Sequence, residues 1–281
     1  MSSASRGSTM QSLPLHPSGN PEHGLVLARR RDRLLERAAG NPDAFQKALN
    51  VLALECARET LRLTGADVSL PEVREAAIET EKPGPRLEPD RNRASLIQGQ
   101  LAALRLMERR ARSEPSLTVS LIRDVHRYST PSADGSFRRE PIASQFGRGS
   151  TGRAELVPLQ LENLMEWLRV ESGRSMYPPE KAALAFARFL EISPFPGGNF
   201  RTAHLLLSFF AFAEGYPPFF LRLEEAGEIR GEIQRAMDFD TLPLVSRLSS
   251  ALARSLSFCL EAVGGIPESG AAGQPSDDPV G

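Results

Sequence analysis

Apolar side chains recur with the period of an α-helix along most of the chain. The i, i+3, i+4, i+7 spacing of an amphipathic helix is met, for example, by Leu161, Leu164, Met165 and Leu168. This stripe belongs to a predicted helix at about 157–170. The same periodicity predicts further helices at about 92–112 and 117–129, another that begins at Pro178-Pro179, and a last one at about 242–263. The pattern therefore predicts an all-α protein.

One segment, residues 201–213, is apolar on nearly every side. Its large side chains are Leu205, Leu206, Leu207, Phe209, Phe210 and Phe212. A helix without a polar face belongs at the centre of a helical bundle. It is followed by the strong stop signal Gly215-Tyr216-Pro217-Pro218. We therefore expect this helix to form the middle of the core.

Residues 133–158 interrupt the helical pattern. Asp134-Gly135 is a turn signal, and three glycines, at 147, 149 and 152, break up the second half of this stretch. A short β-hairpin over residues 137–157, lying as a flap on the bundle, is the structure that this composition favours. The predicted fold is thus an all-α helical bundle with one small β-hairpin flap and an N-terminal helical region.

Composition divides the chain into five stretches. Residues 1–24 and 264–281 are rich in Ser, Gly and Pro without a periodic apolar pattern, and both are predicted to be disordered. Residues 25–80 carry helical patterns and form the N-terminal helical region. Residues 81–91 contain three prolines and are predicted to be a linker. The main domain is then 92–263.

Charge and composition exclude several classes of protein. The 281 residues include 34 Lys or Arg and 35 Asp or Glu, and this net charge of −1 argues against a nucleic-acid partner. Cys56 and Cys259 are too few for a disulfide scaffold, and their apolar surroundings favour buried thiols. No apolar run approaches the roughly 20 residues of a membrane helix, and the N-terminus lacks a secretory signal. We expect a cytoplasmic protein that does not bind membranes.

The segment with the clearest candidate chemistry runs from Glu191 to His204, between two apolar helices. A loop that includes Gly197, Gly198 and Asn199 directly before a helix lets backbone N–H groups converge on an anion, and the helix dipole adds to this. Arg201, in the first turn, can pair with a phosphate. Two interpretations stay open here: a phosphate-binding loop, or a plain connection in which Asn199 caps the helix.

The same segment resembles the signature of the Fic family, also called Fido, which reads His-x-Phe-x-(Asp/Glu)-Gly-Asn-Gly-Arg-x-x-Arg. The matching positions are Phe195, Gly198, Asn199 and Arg201. The likeness extends over about residues 90–262, since Asp134-Gly135-Ser136-Phe137-Arg138 is similar to the start of the family's flap. The resemblance implies a Fic-type helical bundle. Members of the family usually transfer AMP from ATP to a protein hydroxyl, with Mg²⁺ on the acidic residue.

Four signature positions differ from the family's pattern. Ser193 stands where the histidine acts as general base, and a serine hydroxyl does not accept a proton near pH 7. Gly197 replaces the acidic Mg²⁺ ligand, so the resemblance gives no metal site here. Phe200 replaces a glycine and is expected to crowd the phosphate pocket. His204 replaces the second arginine and is a poor phosphate ligand.

The segment Ala94-Ser95-Leu96-Ile97-Gln98-Gly99 is similar to the family's inhibitory-helix motif. In the family, the glutamate of that motif pairs with the second arginine. Here the two positions are Gln98 and His204, so neither half of the ion pair is present.

These departures predict a degenerate Fic-domain protein that is deficient in AMP transfer by the usual mechanism and acts by binding or regulation. Gly198, Asn199 and Arg201 are its candidate ligands for ATP or another phosphate-containing molecule, and the flap at 137–157 is the candidate docking site for a protein partner. The alternative is an active transferase that moves AMP or another phosphate-containing group to a protein hydroxyl.

Overall fold

The computed structural model describes residues 21–81, 93–146, 149–171 and 176–264. Within these ranges the chain forms ten α-helices. In chain order they are α1 (Pro21–Gly40), α2 (Pro42–Leu63), α3 (Leu70–Glu81), α4 (Arg93–Ser113), α5 (Val119–Ser129), α6 (Val157–Glu171), α7 (Pro178–Ile192), α8 (Asn199–Ala213), α9 (Ala226–Met237) and α10 (Leu242–Ala262). Short 3₁₀ turns lie at Ala154–Leu156 and Leu223–Glu225. The predicted all-α fold is confirmed.

Local side chains explain where several helices begin. The Asn41 side chain accepts the N–H of Ala44 at the start of α2, and the Thr118 hydroxyl accepts the N–H of Leu121 at the start of α5. Both are capping contacts that satisfy a backbone donor with no partner inside the helix.

Among the helices of the described ranges, none combines the length and the hydropathy of a membrane-spanning segment.

Helix α8 lies at the centre of the bundle, as its composition predicts. Its side chains are buried on every side, including Leu205, Phe209 and Ala211, and the helix packs against α7, α4, α5 and α2. Burial of this much apolar surface is the main favourable contribution to folding. The helix is therefore held rigidly, and so is the loop that precedes it.

The N-terminal helices share the core with the rest of the chain. Leu34 of α1 and Leu52 and Cys56 of α2 belong to the same buried cluster as Phe209 and Leu248. A second, smaller cluster joins the end of α2 to α3 and α4. Residues 21–81 are thus packed into the bundle.

The predicted domain boundaries fall partly on residues outside the described ranges. This is so for residues 1–20, for 82–91 of the linker, and for 265–281 of the tail. Where the structure does describe the chain, it corrects one boundary: α1 begins at Pro21, so residues 21–24 are helical and not disordered. The reason is packing, since Gly24 lies against the ring of Tyr177, where a Cβ would come within 3.4 Å of Cδ1.

The flap at 137–157 has less regular structure than the predicted β-hairpin. Its described residues form a single isolated antiparallel bridge between Ala143 and Ser150, supported by hydrogen bonds from Ser144 N to Gly149 O (3.0 Å) and Thr151 N to Ile142 O (2.8 Å). Phe146, near the tip, turns its ring into the core. Pro141 has no N–H with which to extend the pairing. The flap is therefore a tethered loop with one bridge.

Candidate functional site

The loop between α7 and α8 begins at Ser193, which has left-handed backbone geometry (φ 44°). Ser193 is buried, its N–H donates to Phe189 O (2.8 Å), and its hydroxyl donates to Leu190 O. The hydroxyl is thus committed to the last turn of its own helix. Ser193 stands at the position where the resemblance places a histidine, and its hydroxyl proton is already donated within its own helix turn.

Arg138 of the flap holds the end of α7. Its guanidinium donates to Ser193 O (2.9 Å), Ile192 O (3.3 Å) and Glu140 O (3.0 Å), and its backbone N–H donates to Pro194 O (2.9 Å). Burial lowers the pKa of Arg138. A cation at a helix C-terminus is favoured by the helix dipole. Composition alone did not reveal this role, although the similarity at residues 134–138 pointed to the residue.

His126 and Phe195 form the floor of the loop. Their rings are stacked with centroids 3.6 Å apart, and Phe195 is fully buried. His126 Nε2 lies 3.0 Å from Gly197 O, and it carries the proton because a carbonyl oxygen only accepts. Burial lowers the pKa of His126, so the ring stays neutral. Both residues shape the loop.

Asn199 spans the loop with its side chain. Its Oδ1 accepts the N–H of Phe195 (2.9 Å) and its Nδ2 donates to Phe195 O (2.8 Å). The sequence offered two roles for Asn199, a ligand of phosphate or a cap of α8, and the structure shows a third. The side-chain amide closes the turn over four residues and is fully used by it.

Gly198 and Gly197 face different surroundings. Gly198 has φ 72°, and a Cβ there would lie 2.3 Å from Thr130 Oγ1, so only glycine fits. Gly197 is exposed, and a Cβ there would meet nothing within 4 Å. The loop is therefore tightly packed on the Thr130 side and open at its tip.

The N-terminus of α8 presents unpaired backbone donors. Thr202 is the first residue whose N–H bonds backward, to Gly198 O (3.0 Å). The N–H groups of Asn199, Phe200 and Arg201 have no acceptor among the residues the structure describes. Together with the dipole of a 15-residue helix, these donors form an arrangement suited to an anion.

Arg201, the third candidate ligand, is bound elsewhere. Its Nη1 donates to Ser129 O (3.0 Å) and its Nη2 to Thr64 Oγ1 (3.4 Å), while burial lowers the pKa of its guanidinium. Ser129 is the last residue of α5 and Thr64 follows the last residue of α2. The cation thus complements the negative ends of two helices. The structure brings Gly198, Asn199 and Arg201 together, but leaves only backbone groups free for a ligand.

His204 and Phe200 are both turned into the core. His204 is fully buried, with Nε2 accepting the N–H of Leu221 (3.0 Å) and Nδ1 2.8 Å from Thr60 Oγ1. Desolvation lowers its pKa to about 4. The Phe200 ring packs against the Phe146 ring of the flap (centroids 5.6 Å apart). Phe200 therefore fills the core under the flap and does not crowd the exposed loop tip.

Gln98 on α4 makes no hydrogen bond to His204. Its amide donates to Ala76 O of α3 (3.4 Å). Two residues further on, Gln100 is fully buried and donates to Ser129 O (2.7 Å), the same oxygen that binds Arg201. Sequence reasoning missed Gln100. The available signal was a polar residue on the apolar face of α4, between Ile97 and Leu104.

Mg²⁺ does not fit the loop. Gly197 has no side-chain oxygen, and its carbonyl already accepts from His126. In the described part of the chain, no group of three or more His, Cys, Asp or Glu side chains is placed to hold a metal ion. A hard cation needs several oxygen ligands, which the loop does not offer.

A model of the Fic/DOC family matches residues 116–211, from before α5 to near the end of α8. This region of the chain is therefore similar to a Fic/DOC domain. Over 153 residues it is 32% identical to the protein adenylyltransferase fic-1 of Caenorhabditis briggsae, a match that covers 52% of this chain and 30% of the relative. It is 28% identical to the protein adenylyltransferase Fic of Drosophila ananassae over 155 residues, 54% of this chain and 31% of the relative. The chain thus spans about a third of the length of the curated relatives it matches.

Solved Fic structures share the fold. A Fic-domain-containing signaling protein from Bacteroides thetaiotaomicron has a TM-score of 0.73 at 22% identity, with 86% of this chain and 96% of that chain covered. Fic-1 of Caenorhabditis elegans has a TM-score of 0.70 at 22% identity, covering 86% and 71% of the two chains. The match to 86% of this chain extends well beyond residues 116–211, so the chain shares a larger helical fold with these structures.

Proposed function

We propose that the chain is a Fic-domain protein that binds a phosphate-containing ligand, ATP or another nucleotide, at the N-terminus of α8 and does not transfer AMP by the family's usual route. The single observation that carries the proposal is the state of Ser193. The residue at the base position is buried, and its hydroxyl proton is already donated to Leu190 O. A general base contributes about 10²–10⁴ in rate, and no other candidate base lies free in the loop.

The two histidines near the loop support this view. His126 donates its Nε2 proton to Gly197 O, and its other nitrogen, Nδ1, is buried. His204 uses both nitrogens, and its pKa of about 4 leaves it a weak base in a site without solvent contact. Both imidazoles are buried, so neither is available as the proton acceptor that transfer to a target hydroxyl needs.

The loop tip supports ligand binding. The N–H groups of residues 199–201 have no acceptor among the described residues, and they lie at the start of α8, close in the chain to exposed Gly197. Backbone donors of this kind bind phosphate without help from side chains. Binding by them alone is expected to be weak, because Arg201 does not add its charge.

The flap supports a protein partner as the second component of this function. In the antiparallel bridge, the hydrogen bonds run through Ser144 and Thr151, so the N–H and C=O of Ala143 face the outer edge. An extended segment of another protein can pair with such an edge.

The decisive experiment measures binding and transfer on the same variants. Calorimetry with ATP and with inorganic pyrophosphate is run on the natural chain, on Gly197→Ala and on Gly197→Asp. Because position 197 is open, both variants are expected to fold. Gly197→Ala should bind as the natural chain does, whereas the carboxylate of Gly197→Asp should weaken binding about tenfold by charge repulsion.

In parallel, each protein is incubated with labelled ATP, Mg²⁺ and cell lysate and examined by intact mass. The natural chain should stay unmodified and leave the lysate proteins unlabelled. Magnesium-dependent AMP transfer by the natural chain would establish the alternative, an active transferase. If neither ATP nor pyrophosphate binds to the natural chain or to either variant, the ligand is removed from the proposal. Only the binding of a protein partner by the flap then remains.

A further inference from the structure

We propose that the end of α2 is a latch that withholds Arg201 from the α8 loop and thereby sets how tightly the loop binds a phosphate-containing ligand. The latch consists of Thr64, which directly follows α2, of Ser129 O at the end of α5, and of Gln100 of α4, which donates to that same oxygen. This inference rests on the proposed function, because a latch of this kind needs a phosphate site to control.

Helix α2 contacts both positions where the signature has an arginine. Thr60 Oγ1 lies 2.8 Å from His204 Nδ1, and one turn further on Thr64 Oγ1 accepts from Arg201 Nη2 at 3.4 Å. Thr60 and Thr64 are four residues apart, and Arg201 and His204 are three apart, so each pair lies on one face of its helical segment. The two faces contact each other. Two side-by-side contacts therefore join the last turns of α2 to the first turns of α8.

The His204 contact is the fixed part of this arrangement. Nε2 of His204 accepts from Leu221 N, so its proton lies on Nδ1 and is donated to Thr60 Oγ1, which in turn donates to Cys56 O. Glu59, also buried, accepts the N–H of Leu223 (2.7 Å). All of these groups are paired, so α2 stays in place.

The Arg201 contact is incompletely satisfied by comparison. Its Nη2 bond to Thr64 is long, and its Nε is buried without a partner in the described part of the chain. Gln100 and Ser129 take part in the same cluster through Ser129 O, and Gln100 Oε1 and Ser129 Oγ are also buried with no partner among the described residues. Unpaired buried polar groups destabilise the arrangement that contains them. Arg201 can therefore exchange this position for a charged acceptor at modest cost.

The alternative position of Arg201 is in front of the free N–H groups. Its own N–H is one of them, so its side chain starts in the first turn of α8. A guanidinium there would meet a bound phosphate as a two-pronged donor. The same side chain thus has two partners, the ends of α2 and α5 in the absence of ligand and the phosphate in its presence.

The test uses Thr64→Val, which keeps the shape of the side chain and removes the acceptor. Two quantities are measured: hydrogen exchange of the Arg201 Nε–H by NMR, and affinity for inorganic pyrophosphate by calorimetry. Because the contact to Thr64 is long, its loss should shift the equilibrium by about twofold, the low end for a hydrogen bond, so exchange should accelerate and pyrophosphate should bind about twofold more tightly. In Thr64→Val with Arg201→Ala, the gain in affinity should disappear.

Two controls separate release of Arg201 from loss of stability. Thr118→Val removes a helix cap at the far end of α5 and should lower stability without changing either measurement. Thr64→Ser retains a hydroxyl and should behave as the natural chain does. Circular dichroism confirms that each variant is folded.

Each outcome decides the proposal. Faster exchange with tighter binding supports the latch. Equal pyrophosphate affinity in the natural chain and Thr64→Val overturns the latch and leaves phosphate binding intact. Faster exchange with no pyrophosphate binding in any variant also overturns it, because there is then no site for α2 to control, and in that case the phosphate part of the proposed function fails as well.

Discussion

At the scale of single residues, His204 links the structure to pH. Its reference pKa is 6.5, and burial lowers the pKa to about 4 in the folded chain. Between these values the unfolded chain binds a proton at His204 and the folded chain does not, so acid favours unfolding. The contribution of His204 to the free energy of unfolding is complete above about pH 6.5, and it declines as the pH falls toward about 4.

The expected loss for His204 between pH 7 and pH 5 is about 2 kcal/mol in the free energy of unfolding. Urea denaturation at the two pH values measures it. In His204→Gln the difference should shrink, with a remainder from His126, whose pKa is also lowered by burial. An unchanged pH dependence in His204→Gln would show that the imidazole is not held neutral as the structure indicates.

The candidate site residues remain a prediction, and the structure adds the partners of each one. Phe195 and Gly198 lie in the loop between α7 and α8. The partners of Asn199 and Arg201 could not be foreseen, since Arg201 binds groups that are 72 and 137 residues away in the chain. An arginine in a first helical turn does need a negative partner. Here the partners are helix ends, which no local pattern reveals.

At the scale of elements, the loop between α7 and α8 depends on one of its two glycines. Gly198→Ala would combine a positive φ with a contact to Thr130 Oγ1, and we expect the free energy of unfolding to fall by about 3 kcal/mol. Gly197→Ala has open space and should change it by less than about 0.5 kcal/mol. Chemical denaturation of the two variants measures the difference.

Thr130→Ala provides a check on the mechanism at Gly198. Since it removes the hydroxyl that a Cβ would strike, it should restore part of the stability lost in Gly198→Ala, leaving the cost of the backbone conformation. Equal stability of Gly198→Ala and Gly197→Ala would contradict the packing of the loop against Thr130.

The helices were predictable because each carries a periodic apolar stripe over several turns, and α8 was recognisable from its lack of a polar face. The flap was the element that differed. Its turn signals are real, and Gly135, for example, has φ 76°. The pairing is reduced to one bridge because Phe146 packs with Phe200 and Arg230 holds Gln145 O (3.1 Å). These long-range contacts override the local preference for strands.

At the scale of the whole molecule, the N-terminal region and the main domain differ in sequence composition but pack around a shared core. The three prolines of the predicted linker separate α3 from α4 in sequence, yet α2 contacts α4, α8 and α10. Thr60 and Thr64 contact His204 and Arg201 of the candidate site directly. A composition change marks where the chain leaves one helix for the next, and it carries no information on which helices share a core.

A chain restricted to residues 92–264 is therefore expected not to fold cooperatively. It would lose the apolar contacts of Leu34, Leu49, Leu52 and Cys56, all of which lie in the main core. Loss of one buried Leu side chain costs about 2–5 kcal/mol, and the stability of a whole domain is only about 5–15 kcal/mol. It would also leave His204 without Thr60 and Arg201 without Thr64.

Thermal unfolding and binding of a hydrophobic dye measure this directly on the truncated and full chains. The full chain should show one sharp transition and little dye binding, whereas the truncated chain should bind dye at room temperature and melt without a clear midpoint. Adding residues 21–81 as a separate piece should reduce the dye signal, since the piece carries the missing apolar face. A truncated chain that unfolds as sharply as the full chain would mean that the core is complete without α2. The contact between Thr64 and Arg201 would then not be needed for folding.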